Sequence, residues 1–229
     1  MGAVKLKPNF SIEKAHKTQL KLSKQIVLED VLPKKIRSVA GVDVAYVKDL
    51  AIGATAVLDY AFLELVKSKT ALCKVRFPYV PTLLSFRETP PTVLCIKKLR
   101  LQPDIFLVDA HGFAHPYRCG FASYLGLVIG KPTIGVAKGR LFGEVEDTKG
   151  EKDVALLKRE DEVIGAVVKT KQDCKPVYVS VGHMVSLETA VKIVRHCACH
   201  SRIPEPILKA HQIATTEKRK INIASAVNR

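Results

Sequence analysis

Four consecutive apolar residues, Ile105, Phe106, Leu107 and Val108, lead into a carboxylate, Asp109, and then into a loop carrying His111, Gly112, His115 and Gly120. An apolar run of this length reads as a buried strand. An acid delivered by a strand end into a loop of glycines and histidines is the usual placing of an active site in an open sheet. Taken alone, an Asp there is more commonly a turn or helix N-cap residue. Chemistry at Asp109 therefore depends on partners elsewhere in the chain.

Partners are available. In Ser38–Tyr46 a period of two puts Val42, Val44 and Tyr46 on one strand face and Asp43 on the other. If the strands carrying Asp43 and Asp109 are neighbours, the two carboxylates meet, and Glu88, expected in a loop after a third strand, adds another oxygen donor. Hard divalent cations such as Mg²⁺, with Mn²⁺ as a substitute, take such donors. Buried acids repel one another unless a cation lies between them, and a metal there can activate water and stabilise charge growing on phosphorus. Lys138, at the end of the apolar run Thr133–Ala137, can hold a phosphate as a point charge. His211, expected on the core side of the last helix, can bind or deprotonate the attacking water. Each has an ordinary alternative: an ion pair with Arg87 for Glu88, a satisfied core histidine for His211.

The elements that must position these residues can be sketched. A helix is expected from about Ser11 to Val31, with Ile12, Ala15, Leu22 and Ile26 on one side. Strands at Ser38–Tyr46, Ile52–Leu58 and Ala71–Phe77 read as an antiparallel meander. Pro78 and Pro81 stiffen a loop with Tyr79 at its tip; Pro90-Pro91 suits a helix start, carried by Thr92–Leu101. The central strand follows, then a helix from roughly Arg118 to Ile129, then the strand Thr133–Ala137. Further strands are expected near Val154–Leu157, Val163–Val168 and Val177–Val181. Ser186 caps a helix with Glu188 in its first turn, and Pro204 and Pro206 open a last one. This order implies an α/β fold whose mixed sheet has its antiparallel meander first and its parallel strands after. A single domain is expected over residues 1–217, with a basic, frayed tail over 218–229 beginning at Lys218-Arg219-Lys220.

Charge is the unusual bulk property. Lys plus Arg number 37 against 22 Asp plus Glu, a net +15, spread through folded-looking sequence. Such an excess attracts polyanions, nucleic acid first among them. No stretch is long enough to cross a bilayer, and the N-terminus does not read as a signal peptide. Six scattered cysteines suit reduced thiols, so a cytoplasmic protein without membrane partners is expected. His196, Cys197, Cys199 and His200 invite a zinc reading, but no second pair has finger spacing, and a surface helix reads better.

Five blocks together resemble the endonuclease V family. They are Gly41–Tyr46; Pro78-Tyr79-Val80-Pro81 with Ser85-Phe86-Arg87-Glu88; Asp109-Ala110-His111-Gly112 with His115-Pro116; Pro132–Lys138; and Lys175–Ser180 leading to Ser186–Ala190. The similarity runs from about Lys14 to Ala214. It implies a ribonuclease H-like fold and a Mg²⁺-dependent endonuclease of DNA repair that acts on deoxyinosine-containing DNA. Such an enzyme cuts the second phosphodiester bond 3′ to the lesion, leaving 3′-hydroxyl and 5′-phosphate ends. On the matching positions Asp43, Glu88 and Asp109 are the metal site, with Lys138 and His211 as supporting catalytic residues. Pro78, Tyr79, Val80 and Pro81 form a wedge, and Leu84, Ala110, Gly112, His115 and Gly120 surround the lesion. Base extrusion costs a few kcal/mol, and an aromatic in the vacancy restores ~1–3 kcal/mol. A monomer is expected. The sequence departs from the family pattern at Ala110 and Thr82, commonly Gly, and at Tyr117, where Arg usually follows the His-Pro pair directly. Two other readings stand beside this one: the same chemistry on inosine in RNA, hybrids or branched substrates, and a non-catalytic nucleic-acid binder, against which the clustered acids argue.

Overall fold

A computed structural model describes residues 11–147 and 153–227; the remainder of the ranges 1–217 and 218–229 lies outside the described residues. The elements are α1 (Ile12–Ser23), β1 (Ser38–Val47), β2 (Leu50–Asp59), β3 (Leu65–Lys74), α2 (Leu84–Lys98), β4 (Ile105–Val108), α3 (Phe121–Ile129) and β5 (Thr133–Ala137). They are followed by β6 (Glu144–Asp147), β7 (Val154–Arg159), β8 (Glu162–Val168), β9 (Val177–His183), α4 (Leu187–Cys197) and α5 (Glu205–Val227). Among the described residues, one nine-stranded sheet has the order β3-β2-β1-β4-β5-β9-β8-β7-β6. Its centre, β1-β4-β5, is parallel. The opening meander is antiparallel as expected, and so, unexpectedly, is the closing half from β5 through β9, β8 and β7 to β6.

Strand alternation divides the core between two faces. Val39, Ala56, Leu58, Ile105 and Leu107 face α4 and α5, packing with Val194, Ile207 and Ala210. Ala40, Val42, Val57, Phe106 and Val108 face the other way, against Leu99 and the α3 residues Phe121 and Leu125. Two glycines let helices sit directly on strands. A Cβ at Gly41 would stand 1.9 Å from the Pro206 carbonyl oxygen, and one at Gly53 would stand 2.3 Å from that of Pro91. Gly41 thus seats the start of α5 on β1, and Gly53 seats the middle of α2 on β2.

Several elements differ from the sequence expectation. α1 is capped by the Ser11 side chain but ends at Ser23 rather than Val31. The residues beyond are used elsewhere: Val27 and Val31 exchange backbone hydrogen bonds with Met184, and the Asp30 carboxylate accepts from Ser186 and Thr189 at the start of α4. β3 begins six residues earlier than expected because pairing with β2 resumes immediately after the turn, at Leu58 opposite Leu65. α2 starts at Leu84 and carries Pro90 and Pro91 in its interior, a costly arrangement for a helix. The packing of Pro91 against Gly53 holds that segment helical, so Glu88 is on a helix and not in a loop. β6 is acidic and was not anticipated; it pairs with β7, where Lys158 meets Glu146 at 2.8 Å. α5 continues to Val227, so residues 218–227 are helical where a frayed tail was expected. Among the described residues no helix is long and apolar enough to cross a membrane.

Candidate active site

Val42 stands opposite Val108 in the parallel β1–β4 pair, so the next residues, Asp43 and Asp109, emerge side by side. By alternation both lean toward the α5 face. About 6 Å along α5 from the Gly41 contact, His211 comes over Asp43, because four helical residues match two strand residues in length. His211 Nδ1 lies 2.8 Å from Asp43 Oδ2. A carboxylate can only accept, so Nδ1 carries the proton. The His211 side chain is 57 % exposed, a correction to its expected place on the core side; the adjacent Ala210 and Ala214 take the buried positions. Lys138, three residues beyond the Gly135–Val108 pairing, reaches back to Asp109 and donates to its Oδ2.

Glu88 approaches from the α2 face, where Tyr46 of β1 donates a hydrogen bond to its Oε1 at 3.2 Å. The expected alternative, an Arg87–Glu88 ion pair, does not form. Arg87 lies over the Tyr46 ring at 4.3 Å and donates to the Phe77 carbonyl. Burial above all pushes the Glu88 carboxyl up to about 8; the Tyr46 hydrogen bond is the next largest effect and opposes it, while the charges of Asp43 and then Asp109 add to the rise. Burial raises Asp109 as well, and Lys138 opposes it. Asp43 is close enough to Glu88 and to Asp109 to raise both, and the three carboxyls form an oxygen-donor set fitted in type to a hard divalent cation. Among the described residues no three such side chains are turned together as ligands. Instead each acid is satisfied by a different partner: Asp43 by His211, Asp109 by Lys138, Glu88 by Tyr46.

Beside the acids is a cavity of about 320 Å³, toward the small end of ligand pockets. Tyr79, Val80, Pro81, Leu84, Ala110, His115 and Gly120 line it, together with Thr82, Ser85, His111, Phe121, Gly139, Arg140 and Leu141. Tyr79 is 71 % exposed at its mouth. Ala110 and Gly139 are the chain neighbours of Asp109 and Lys138, so the cavity wall begins one residue from the acids. One residue expected around the lesion lies elsewhere. Gly112 is pressed on β9, where its N–H donates to Ser180 Oγ and a Cβ would meet the Val181 carbonyl at 2.2 Å. Burial first, and His111 second, push His115 down to about 4, so its ring is neutral near pH 7.

Two positioning residues carried no sequence signal. Arg202 donates to the Lys138 and Pro176 carbonyls at 2.7 and 2.8 Å and so fixes the loop carrying Lys138. Arg118 pairs with Glu162 and lies over Phe113 and Phe142, tying the His115 loop to β8. In the zinc reading's cluster, Cys197 is in the core and His196 meets the Tyr60 carbonyl at 2.6 Å, while Cys199 and His200 are exposed.

This geometry has close relatives. The Endonuclease V family profile matches residues 20–212, most of the chain. The chain belongs to the endonuclease V family. An Endonuclease V from Thermofilum pendens is 46 % identical over 220 residues, covering 96 % of this chain and 94 % of the relative. One from Rippkaea orientalis is 40 % identical, covering 96 % and 99 %. The crystal structure of the Streptomyces avermitilis Endonuclease V superposes with a TM-score of 0.86 at 35 % identity, covering 96 % of this chain and 99 % of that one. A Ciona intestinalis Endonuclease V, solved with a 24mer DNA containing an inosine followed by a ribo-adenosine, superposes with a TM-score of 0.84 at 34 % identity, covering 92 % and 98 %. The fold is therefore the ribonuclease H-like one of the endonuclease V structures, and the chain is a member of a nuclease family.

Proposed function

We propose that this protein is a Mg²⁺-dependent endonuclease that recognises deoxyinosine in DNA and cuts the second phosphodiester bond on its 3′ side, initiating repair of deaminated adenine. The observation that carries the reading is adjacency: a base-sized cavity whose wall shares chain neighbours with Asp109 and Lys138. A Ciona relative bound to inosine-containing DNA supports the choice of lesion.

Asp43, Glu88 and Asp109 would hold the ion, which supplies positive charge for the phosphate and a more acidic bound water. Lys138, engaged with Asp109 in the free protein, sits where it can turn to a phosphate oxygen. Asp43 fixes the His211 ring with its proton on Nδ1, which leaves Nε2 as the nitrogen that takes a proton from water. Water attack on phosphorus breaks the P–O3′ bond, giving a 3′-hydroxyl after protonation of the leaving oxygen and a 5′-phosphate. Tyr79, exposed between two prolines, fills the gap left by an extruded base, and the flanking rings limit the entropy lost in presenting it.

The test is a duplex with one deoxyinosine, with Mg²⁺ and with EDTA. Metal-dependent scission immediately 3′ of the lesion's 3′ neighbour is expected; a uniform ladder, or equal cutting of the adenine control, would overturn the reading. The ribo-adenosine after inosine in the Ciona complex favours one second reading, in which a ribonucleotide there is the better substrate. The same duplex carrying a single ribose at that position separates the two.

A further inference from the structure

The Tyr79 loop ends at Thr82, a β-branched residue held at φ +69°, a left-handed conformation that costs free energy and persists only where the surroundings impose it. Those surroundings come from α1. Gln19, completely buried, divides its two amide protons between the Thr82 carbonyl and the Cys119 carbonyl, both at 2.9 Å. The first acceptor closes the Tyr79 loop and the second precedes Gly120 in the cavity wall. One side chain thus spans both sides of the cavity, across 63 and 100 residues of sequence. His16, one turn earlier on α1, adds a second attachment. The Thr82 hydroxyl donates to the Pro81 carbonyl, so its oxygen accepts from His16 Nε2 at 2.9 Å. The His16 ring stacks on Tyr117 with centroids 3.9 Å apart and planes at 17°. Tyr117 N–H in turn donates to His115 Nδ1, on the cavity wall.

We propose that His16 and Gln19 form a clasp that fixes the Tyr79 loop to the cavity wall, making them positioning residues for the insertion of Tyr79 and for the fit of the extruded base. The inference rests on the proposed wedge role of Tyr79. Thr82 and Tyr117, two positions at which this sequence departs from the family pattern, both touch His16, so the clasp is a property of this chain's own residues. A rigid loop binds without first being ordered, and loosening it raises the cost of binding while the acids, held by β1, β4 and α2, keep their places.

The chain has no Trp, so Tyr79→Trp provides a single fluorescent reporter at the loop tip. In that background His16→Phe keeps the stack on Tyr117 but removes the donor, and Gln19→Met keeps the volume but removes both donors. Without nucleic acid, either change is expected to lower the reporter's anisotropy and at least double its quenching by acrylamide. On a deoxyinosine duplex KM should rise roughly tenfold, as for the loss of one or two hydrogen bonds, with kcat within about twofold of the parent. Parental anisotropy and KM in folded variants, even with a lowered Tm, would overturn the clasp. Should Gln19→Met not fold, the half-buried His16→Phe decides alone. If the parent cuts no inosine strand, the proposed function fails, while the anisotropy comparison, which uses no substrate, still decides the clasp.

Discussion

Removing the metal should make this protein less stable as the pH rises, and Glu88 should be the main reason. Its carboxyl is pushed from an ordinary 4.5 up to about 8 in the fold. Below pH 4.5 the group is protonated folded or unfolded and contributes nothing. Between 4.5 and 8 the folded state holds a proton that the unfolded state releases, so each pH unit costs up to about 1.4 kcal/mol of stability. His115 runs the other way but only at lower pH: pushed down to about 4, it destabilises the fold as pH falls below about 6.5. The clean window is therefore pH 6.5 to 8, where Glu88 alone should remove up to about 2 kcal/mol. Asp109, also raised by burial, adds a smaller effect of the same sign.

The assay is urea unfolding in EDTA across that window, for the parent and for Glu88→Gln, which keeps the shape and the Tyr46 contact without a titrating group. The parent should lose about 1–2 kcal/mol from pH 6.5 to 8 and the variant much less. Excess Mg²⁺ should restore the parent at pH 8 more than at pH 6.5, since only the ionised acid binds the cation. Equal pH slopes in the two proteins would refute the argument that burial among like charges is what raises Glu88.

Three further outcomes follow from contacts already described. Gly41→Ala would place a Cβ 1.9 Å from the Pro206 oxygen and must push α5 off β1; a loss of about 3 kcal/mol or more in urea unfolding is expected, with single-turnover cleavage falling as His211 leaves Asp43. Tyr79→Ala should raise KM for a deoxyinosine duplex by roughly 5- to 150-fold, the equivalent of ~1–3 kcal/mol of stacking, while Tyr79→Phe stays near the parent; steady-state kinetics on both checks it. Arg202→Gln, which releases the Lys138 carbonyl, should lower kcat about tenfold for a lost charged hydrogen bond, with Tm and KM read alongside to separate positioning from unfolding.

What could be read from the sequence was what depends on neighbours in the chain. Period-two alternation placed Asp43 opposite in sense to Val42, and the apolar run ending at Asp109 announced the strand end. Ser186 was legible as a cap because its acceptor role is local, on Thr189 N–H three residues on. Rules of the same local kind misplaced Glu88: a proline pair normally opens a helix, and only the glycine at position 53, from another strand, explains why α2 continues through Pro90 and Pro91. β6 was missed for a related reason, since Glu144, Glu146 and Asp147 look like loop until Lys158 is known to stand beside them. His211 was found, but its face was misjudged, because adjacent helical positions differ by about 100° and only the Asp43 contact says which one points to the acids.

Gln19 and Arg202, neither of which carries a sequence signal, share one property: each acts on backbone carbonyls far away in the chain. Gln19 holds Thr82 and Cys119, and Arg202 holds Lys138 and Pro176. A carbonyl acceptor is present at every position, so no residue type marks the receiving end and no spacing rule can predict the pair. The acids are different, because three carboxyls converging from β1, α2 and β4 leave a chemical signature that survives without coordinates. The candidate acids were therefore legible where the residues that hold the loops around them were not. The departures at Thr82 and Tyr117 show why this matters: viewed singly each is an unexplained substitution, but through His16 they become parts of one contact network whose rigidity the anisotropy measurement can test.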